Sequence, residues 1–544
     1  MKKGFKASAL LLIALMLVMG AVLAACGKQG NLAGEQVFKV NISTEPPSLD
    51  PGTAIDSTSF AVLVGMYEGL TRLDEEGNAV KAIAKDWTVS DDGLTWTFKL
   101  RDDVKWTNGD PVTAHNFEYA WKRALDPALA SQYAYQLYYI KGAEAYNAGE
   151  NTDKDSIGVK AQDDHTLVVE LNAPTPYFTS LTAFFTYYPL NENAIGGVED
   201  WFADASTMVS NGPFKLAEWK HNDSIRLVKN PDYYAAEDIK LEEVRMTMVD
   251  DAATELSMYQ TGQIDWNGSP NGEVPLDLIP TLKQQNKLHI KGKASIYYYA
   301  FNVQAKPFDN AKVRKALSMA INRKDIVEKI TQADQIPAYG VVTPGIIGDS
   351  KTFREEFKDT DYFKEDYAEA KKLLQEGLAE SGMDKLPETT LLYNTSDGHK
   401  KIAQAVVGMW KDNLGIDVKL ENQEWQVFLN TRQQLDYQIA RAGWGADYND
   451  PMTYLDMYTT TSGNNDIGFS NKEYDKLIAD ALKEPNSKKR MELMAKAEQL
   501  LFEQEMPIVP LYYYTSVWQQ NEKVKNVIID FAGNMDYTRG YIEK

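Results

Sequence analysis

The chain is poor in the side chains that make disulfides and metal centres: one cysteine and five histidines in 544 residues. A lone thiol has no disulfide partner, and so few imidazoles leave little room for a bound metal; neither a metal nor a cofactor is expected. Positive charge is short as well. Against 78 Asp and Glu stand 57 Lys and Arg, a net charge of −21 with a pI near 4.8. That balance argues against nucleic acid or an anionic lipid surface as partner. After the first 25 residues there is no second long apolar run and no internal repeat. Catalytic signatures are missing too: no G-x-S-x-G elbow, H-E-x-x-H, G-x-x-x-x-G-K-[ST] loop or G-x-G-x-x-G fingerprint. The chain is therefore read as a non-enzyme. A secreted hydrolase stays as the competing class, because carboxylates are abundant enough to hide a glycosidase-like pair.

What is present begins with the N-terminus. Lys2, Lys3 and Lys6 form a basic region, 7–23 is apolar, and Leu23-Ala24-Ala25-Cys26 closes it. Small residues before the cut fit a secretory signal, and the run is shorter than the ~20 residues a spanning helix needs. The cysteine at the cut resembles the bacterial lipobox, whose thiol becomes a lipidated N-terminus. Residues 1–25 are thus a lipoprotein signal peptide, Cys26 the lipidated residue and 26–36 a tether at the outer face of the cell membrane. Two acyl chains on one cysteine would supply the two signals that stable anchoring needs.

The remaining chain is too long for one compact core, so two or three lobes are expected. Leu94, Trp96, Phe98 and Leu100 alternate as one face of a strand after the turn at Asp91-Asp92-Gly93. Thr113 caps a helix through Arg123, and 159–171 is a strand pair. With their surroundings these make 68–192 an α+β lobe of its own. Strands follow at 214–219, 224–229 and 244–249. After residue 295 come longer helices, at 310–320, 367–378 and 491–502, and a βαβ unit: strand 391–393, helix 399–414 stopped by Gly415, strand 416–420. Eleven Trp and 30 Tyr supply rigid surface of the kind that dominates ligand contacts.

One stretch concentrates chemistry. A short strand, Tyr437 to Ala440, runs into Arg441-Ala442-Gly443-Trp444-Gly445-Ala446-Asp447. Glycine permits φ > 0 and close approach of other backbone, and strand-like backbone can add an extended ligand. Asp447 is a counter-ion for a cation and Arg441 a fork for a carboxylate. A cation, a carboxylate and an extended backbone between them describe a peptide. The competing reading is a turn after a buried strand, with Trp444 in the core, Arg441 paired to an acid such as Asp436, and both charges solvated.

Longer matches settle the resemblance. Lys105-Trp106-Thr107-Asn108-Gly109-Asp110, Asn211-Gly212-Pro213-Phe214, Leu391 through Lys401, Asn422-Gln423-Glu424-Trp425 and the 441–447 stretch resemble the oligopeptide-binding proteins of ABC importers. That large solute-binding class also includes dipeptide and nickel binders. The resemblance implies an α/β, bilobal, type II binding-protein fold of cluster C with an extra subdomain and a cleft between lobes. Residues 37–67, 193–294 and 515–544 would form the first lobe, 68–192 the added subdomain and 295–514 the second lobe. It implies a monomer whose partners are a peptide and the permease subunits of an ABC transporter. A specialised cell-wall peptide, dipeptide or pheromone ligand remains an alternative. Residue by residue, Asp447 matches the aspartate that pairs with the peptide ammonium. Gly443, Gly445 and the adjoining Ala446 match backbone beside the ligand. Tyr133 and Tyr514 match pocket aromatics, Trp425, Arg432 and Trp444 match side-chain pockets, and Arg441 and His399 match cations for the peptide carboxylate. His399 also reads as a surface histidine at a helix start. Thr331, Gln433 and Ile55 depart from residues that relatives carry at those positions, so ligand length and side-chain preference do not transfer.

Overall fold

The structure, a computed structural model, describes residues 32–198 and 200–544. The signal peptide, the lipidation of Cys26 and the first part of the tether, all expected from the sequence, fall outside the described residues. The later part is not free. Leu32 bridges Glu543, the Ala33 N–H donates to the Ile542 carbonyl at 2.9 Å, and the Gln36 amide exchanges hydrogen bonds with Ile542.

Three larger sheets organise the chain. The first runs, in space, Val37–Asn41, Glu243–Thr247, Ser224–Lys229, Phe214–Lys220, with the first pair parallel. Another is antiparallel: Ala84–Val89, Thr95–Leu100, Thr166–Glu170, Val159–Asp163. Here the alternation predicted from sequence holds, since Trp96, Phe98 and Leu100 are buried and Thr113 caps the helix Ala114–Ala124 beside the sheet.

The third sheet carries the cleft. Its order is Trp266–Gly268, Ile508–Gln520, His289–Phe301, Ile439–Gly445, Thr390–Asn394, Lys419–Gln423. His289–Phe301 and Ile508–Gln520 are antiparallel neighbours of 13 residues each, about 40 Å long at ~3.4 Å per residue. Residues 294–301 are buried without a break, the signature of a strand covered on both faces. Between Gly292 and Ile296 the register with Ile508–Gln520 shifts, which bends the strand and re-aims its side chains.

The βαβ unit is present: Thr390–Asn394 lies parallel to Lys419–Gln423, joined by the helix Asp397–Leu414, which Gly415 ends at φ 72°. The second strand starts later than predicted, at Lys419, where its pairing with Thr390 begins; Val418 is buried in the connection. Among the longer helices of the described residues, Trp425–Gln433 and Lys472–Lys483 were not predicted. No helix among the described residues is long and apolar enough to cross a membrane.

Candidate functional site

A cavity of about 700 Å³ lies against the third sheet, and all eleven binding positions proposed from the sequence line it. The strand Ile439–Gly445 is its axis. The sequence placed strand only to Ala440, but the extended backbone continues through Gly445, with Gly445 opposite Ser295 and Ile439 opposite Phe301. The Ala446 N–H donates to the Ala294 carbonyl at 2.8 Å, and the Asn302 N–H to Gln438 at 3.1 Å. Antiparallel alternation then aims the peptide groups of Ala440, Ala442 and Trp444 at the strand His289–Phe301, and those of Gly443 and Gly445 away from it. On that far side Thr390–Asn394 pairs only with Ile439 and Ala440. The outward N–H and C=O groups of Gly443 and Gly445 therefore face the cavity with no strand beside them.

Neither glycine has a positive φ, so conformational freedom is not their role here. A Cβ at Gly445 would meet nothing nearer than 3.8 Å, and one at Gly443 would meet the Ile296 carbonyl at 3.1 Å. What they contribute is an edge without side chains.

Asp447 sits at one end of this edge. Its N–H donates to Thr453 Oγ1 at 3.0 Å and its carboxylate accepts from Gln136 Nε2 at 2.6 Å. Among the described residues no basic side chain pairs with it. Burial first, and then the charge of Asp456, push its pKa well above the usual carboxylate range, against the Gln136 hydrogen bond. It is a carboxyl in want of a cation. Beside it the Trp444 indole donates to the Thr453 carbonyl at 2.7 Å and packs near Tyr133, ring centroids 6.2 Å apart. Ala446 is buried.

Arg441 marks the other end. Its Nη2 donates to the Tyr514 hydroxyl at 2.6 Å and its Nη1 to Asn394 Oδ1 at 3.3 Å. The guanidinium lies 5.0 Å from the centre of the Tyr297 ring, and Nε has no partner among the described residues. The suggested pairing with Asp436 does not occur, nor is Arg441 bonded to any other acid described. His399 is not a surface histidine: its ring stands edge-on to Tyr297 at 5.5 Å. Burial, then the Arg441 charge, drives its pKa well below the usual value. At neutral pH it offers a hydrogen bond rather than a charge.

The side walls come from the helix Trp425–Gln433. Trp425 Nε1 donates to Asp56 Oδ1 at 3.4 Å. Arg432 is already neutralised by an ion pair with Asp466, so it is a poorer ligand for an acid than Arg441. Ile55, Thr331 and Gln433 also line the cavity, with the Thr331 hydroxyl bonded to Gln335 Oε1 at 2.8 Å.

Residues far apart in sequence close the cavity. Glu273 accepts from Ser396 Oγ at 2.9 Å and from the Gly398 N–H at 3.4 Å, at the start of the helix Asp397–Leu414. Lys401 pairs with Asp277 at 2.8 Å, and Tyr177 stacks on Tyr448 with centroids 5.2 Å apart. Glu273, Gln136, Asp56 and Lys293 also line or bridge this site and were not singled out from the sequence. Lys293 alone left a trace there, since alternation puts it on the face of Tyr297 and Tyr299.

A model described as bacterial extracellular solute-binding proteins, family 5 Middle, matches residues 78–466. The oligopeptide-binding protein OppA of Bacillus subtilis is 46% identical over 98% of this chain and 99% of its own. Haemophilus influenzae OppA, solved in complex with RPPGFSPFR, matches with a TM-score of 0.89 at 33% identity, covering 94% of this chain and 100% of that one. The Escherichia coli murein tripeptide binding protein MppA matches at 0.87 with 34% identity, over 94% and 99% of the two chains. The unliganded open form of MppA reaches only 0.63, over 94% and 98%. The lobes in this chain are thus arranged unlike that open form. The fold is bilobal and of the type II binding-protein class.

Proposed function

Because this chain belongs to the bacterial extracellular solute-binding proteins of family 5, we propose that it captures oligopeptides outside the cell and delivers them to the permease of an ABC importer. Its relatives are solute-binding proteins, not enzymes. The observation that carries the reading is the bare strand edge at Gly443 and Gly445. It is flanked by Asp447 and Arg441, an acid and a cation that each lack an ion partner among the described residues.

An extended peptide would lie along that edge as an added strand, exchanging hydrogen bonds with Gly443 and Gly445 that depend on no side chain. Its ammonium would replace the missing charge at Asp447. Its carboxylate would meet Arg441, with neutral His399 as a further donor. Trp425, Arg432, Trp444, Tyr133 and Tyr514 would wall the side-chain pockets. In roomy pockets water can re-form hydrogen bonds with many side chains, so sequence preference should be weak. At the N-terminus, lipidated Cys26 would hold a monomer at the outer face of the membrane, where the closed form docks on the permease.

Calorimetry tests this on mature protein that has been denatured and refolded to strip bound peptide. A tetrapeptide with free termini should bind and be recovered intact by mass spectrometry; absence of binding to any peptide, or cleavage, would overturn the reading. For the anchor, Cys26→Ala should move the protein from the membrane fraction into the medium.

A further inference from the structure

Besides Arg441, one more cation on the cavity wall lacks an ion pair among the described residues. Lys293 lines the wall inside the stretch where the strand His289–Phe301 shifts register between Gly292 and Ile296. Its position follows from the pairing with Ile439–Gly445. Gly445 lies opposite Ser295, and Arg441 opposite Tyr299. Two residues beyond Ser295, the backbone of Lys293 stands at the level of Asp447 and its side chain reaches from there to Tyr514, while Arg441 reaches the same tyrosine from the far end of the edge. Alternation puts Lys293, Ser295, Tyr297 and Tyr299 on one face.

The ammonium is held in place. Its Nζ sits 4.8 Å from the centre of the Tyr514 ring, the same tyrosine whose hydroxyl takes Arg441 Nη2. Its stem is packed on Gly533, where an added Cβ would fall 2.3 Å from Lys293 Cδ. The acid facing it is Asp530, whose carboxylate is taken by Asn534, through its N–H at 2.8 Å and its Nδ2 at 3.3 Å. Among the described residues Lys293 has no ion pair. Burial, then the repulsion of Arg441, lowers its pKa to about 8, against the pull of Asp530. A half-buried cation beside a like charge is unfavourable until an anion arrives.

On the peptide-binding reading above, we propose that Lys293 is a second carboxylate-binding cation of the cavity, placed to take a ligand carboxylate nearer the ammonium end than Arg441 does. That carboxylate has two sources. One is the C-terminus of a peptide too short to reach Arg441; the other is an Asp or Glu side chain early in a longer peptide. Lys293 would then set which lengths and which acidic sequences are accepted, on a site whose backbone contacts are indifferent to sequence.

The test is calorimetry on the mature, refolded protein with two ligand series. Peptides of two to five residues are compared as free C-terminal acid and as amide, and longer peptides with Glu against Gln at early positions. In the wild type at least one short acid/amide pair or one Glu/Gln pair should differ by about tenfold or more, the strength of a charged hydrogen bond. Lys293→Met keeps the stem on Gly533 and Tyr514 and should bring that ratio to about one; Lys293→Arg should preserve it. Longer peptides without acidic side chains should change by less than about twofold. If Lys293→Met does not melt cooperatively, Lys293→Gln takes its place. Wild-type protein that binds peptides while every ratio is unchanged in the variant overturns the assignment of Lys293 alone. Wild-type protein that binds no peptide overturns the peptide reading, and this assignment with it.

Discussion

A carboxyl enclosed without a cation costs stability until a ligand supplies one, and Asp447 is such a group. Asp447→Ala should weaken free-amine peptides by ~3–5 kcal/mol, the range for removing one partner of a buried pair; a loss below about 1 kcal/mol by calorimetry would contradict the role. Protonation gives an independent check. The empty site holds the Asp447 proton above the ordinary carboxylate range, whereas a bound ammonium requires the ionised form, so binding releases a proton. A peptide α-amine, with a pKa of about 8, stays charged throughout the acid range. Affinity for free-amine peptides should therefore fall as pH drops from 7 to 5, and Asp447→Asn should flatten that slope. For the unliganded protein the sign is opposite. The folded state binds more protons than the unfolded chain wherever pH lies between the two pKa values, so stability declines as pH rises through that window. Asp447→Asn should melt higher than wild type at pH 7, with the gap closing toward pH 4. At this scale the sequence was most legible where chemistry is concentrated in a few consecutive residues. The 441–447 stretch carries both charges and the glycines, so it could be proposed as a site before any fold was known, and the fold places it on the cavity wall. Lys293 could not, because a lysine two residues from Lys291 in a strand reads as a solvated charge until the fold places it on the cavity wall.

Among the elements, the strand Ile439–Gly445 has the clearest consequence for binding. If the Gly445 N–H serves only the ligand, Gly445→Pro removes a donor the folded protein does not use. Affinity should drop for every peptide by ~1–3 kcal/mol, the cost of one unmade buried hydrogen bond. The melting temperature should stay near that of Gly445→Ala, whose methyl group has room. An equal loss in both variants would mean that bulk, not the donor, is what matters. Strands were legible where alternation is clean, as in Thr95–Leu100. Ile439–Gly445 was cut short because glycine and tryptophan after Ala440 resemble a turn, and only the pairing with Ser295–Phe301 shows that extended backbone continues. In the helix Lys472–Lys483 the buried Tyr474, Ile478 and Ala481 sit among many charges, which masked a stripe of helical period.

For the molecule as a whole, the proposed function makes closure the central event. Glu273 bonds to Ser396 from 123 residues away, and Gln136 to Asp447 from 311 away. No local pattern signals such pairs, since they exist only when the lobes meet; that is why the cavity's floor was readable in the sequence and its clasp was not. Glu273→Ala should weaken the closed form relative to the open one. Affinity should fall by about five- to twentyfold for all peptides alike, because a smaller competent fraction reduces apparent affinity whatever the ligand. A fluorophore pair placed across the cleft should report a smaller closed fraction at equal peptide; an unchanged fraction would remove Glu273 from the closing contacts.

The most direct measurement is a thermal-shift series on mature, refolded protein with di- to nonapeptides, each carrying a free or an acetylated N-terminus. Ligand that binds only the folded state stabilises it by RT ln(1 + [L]/Kd), ~2.7 kcal/mol at a hundredfold excess over Kd. Large shifts with free amines and small ones with their acetylated counterparts are predicted, over a limited range of lengths. Equal shifts for both forms, or none for any peptide, would contradict a receptor that grips an extended peptide by its ammonium at Asp447.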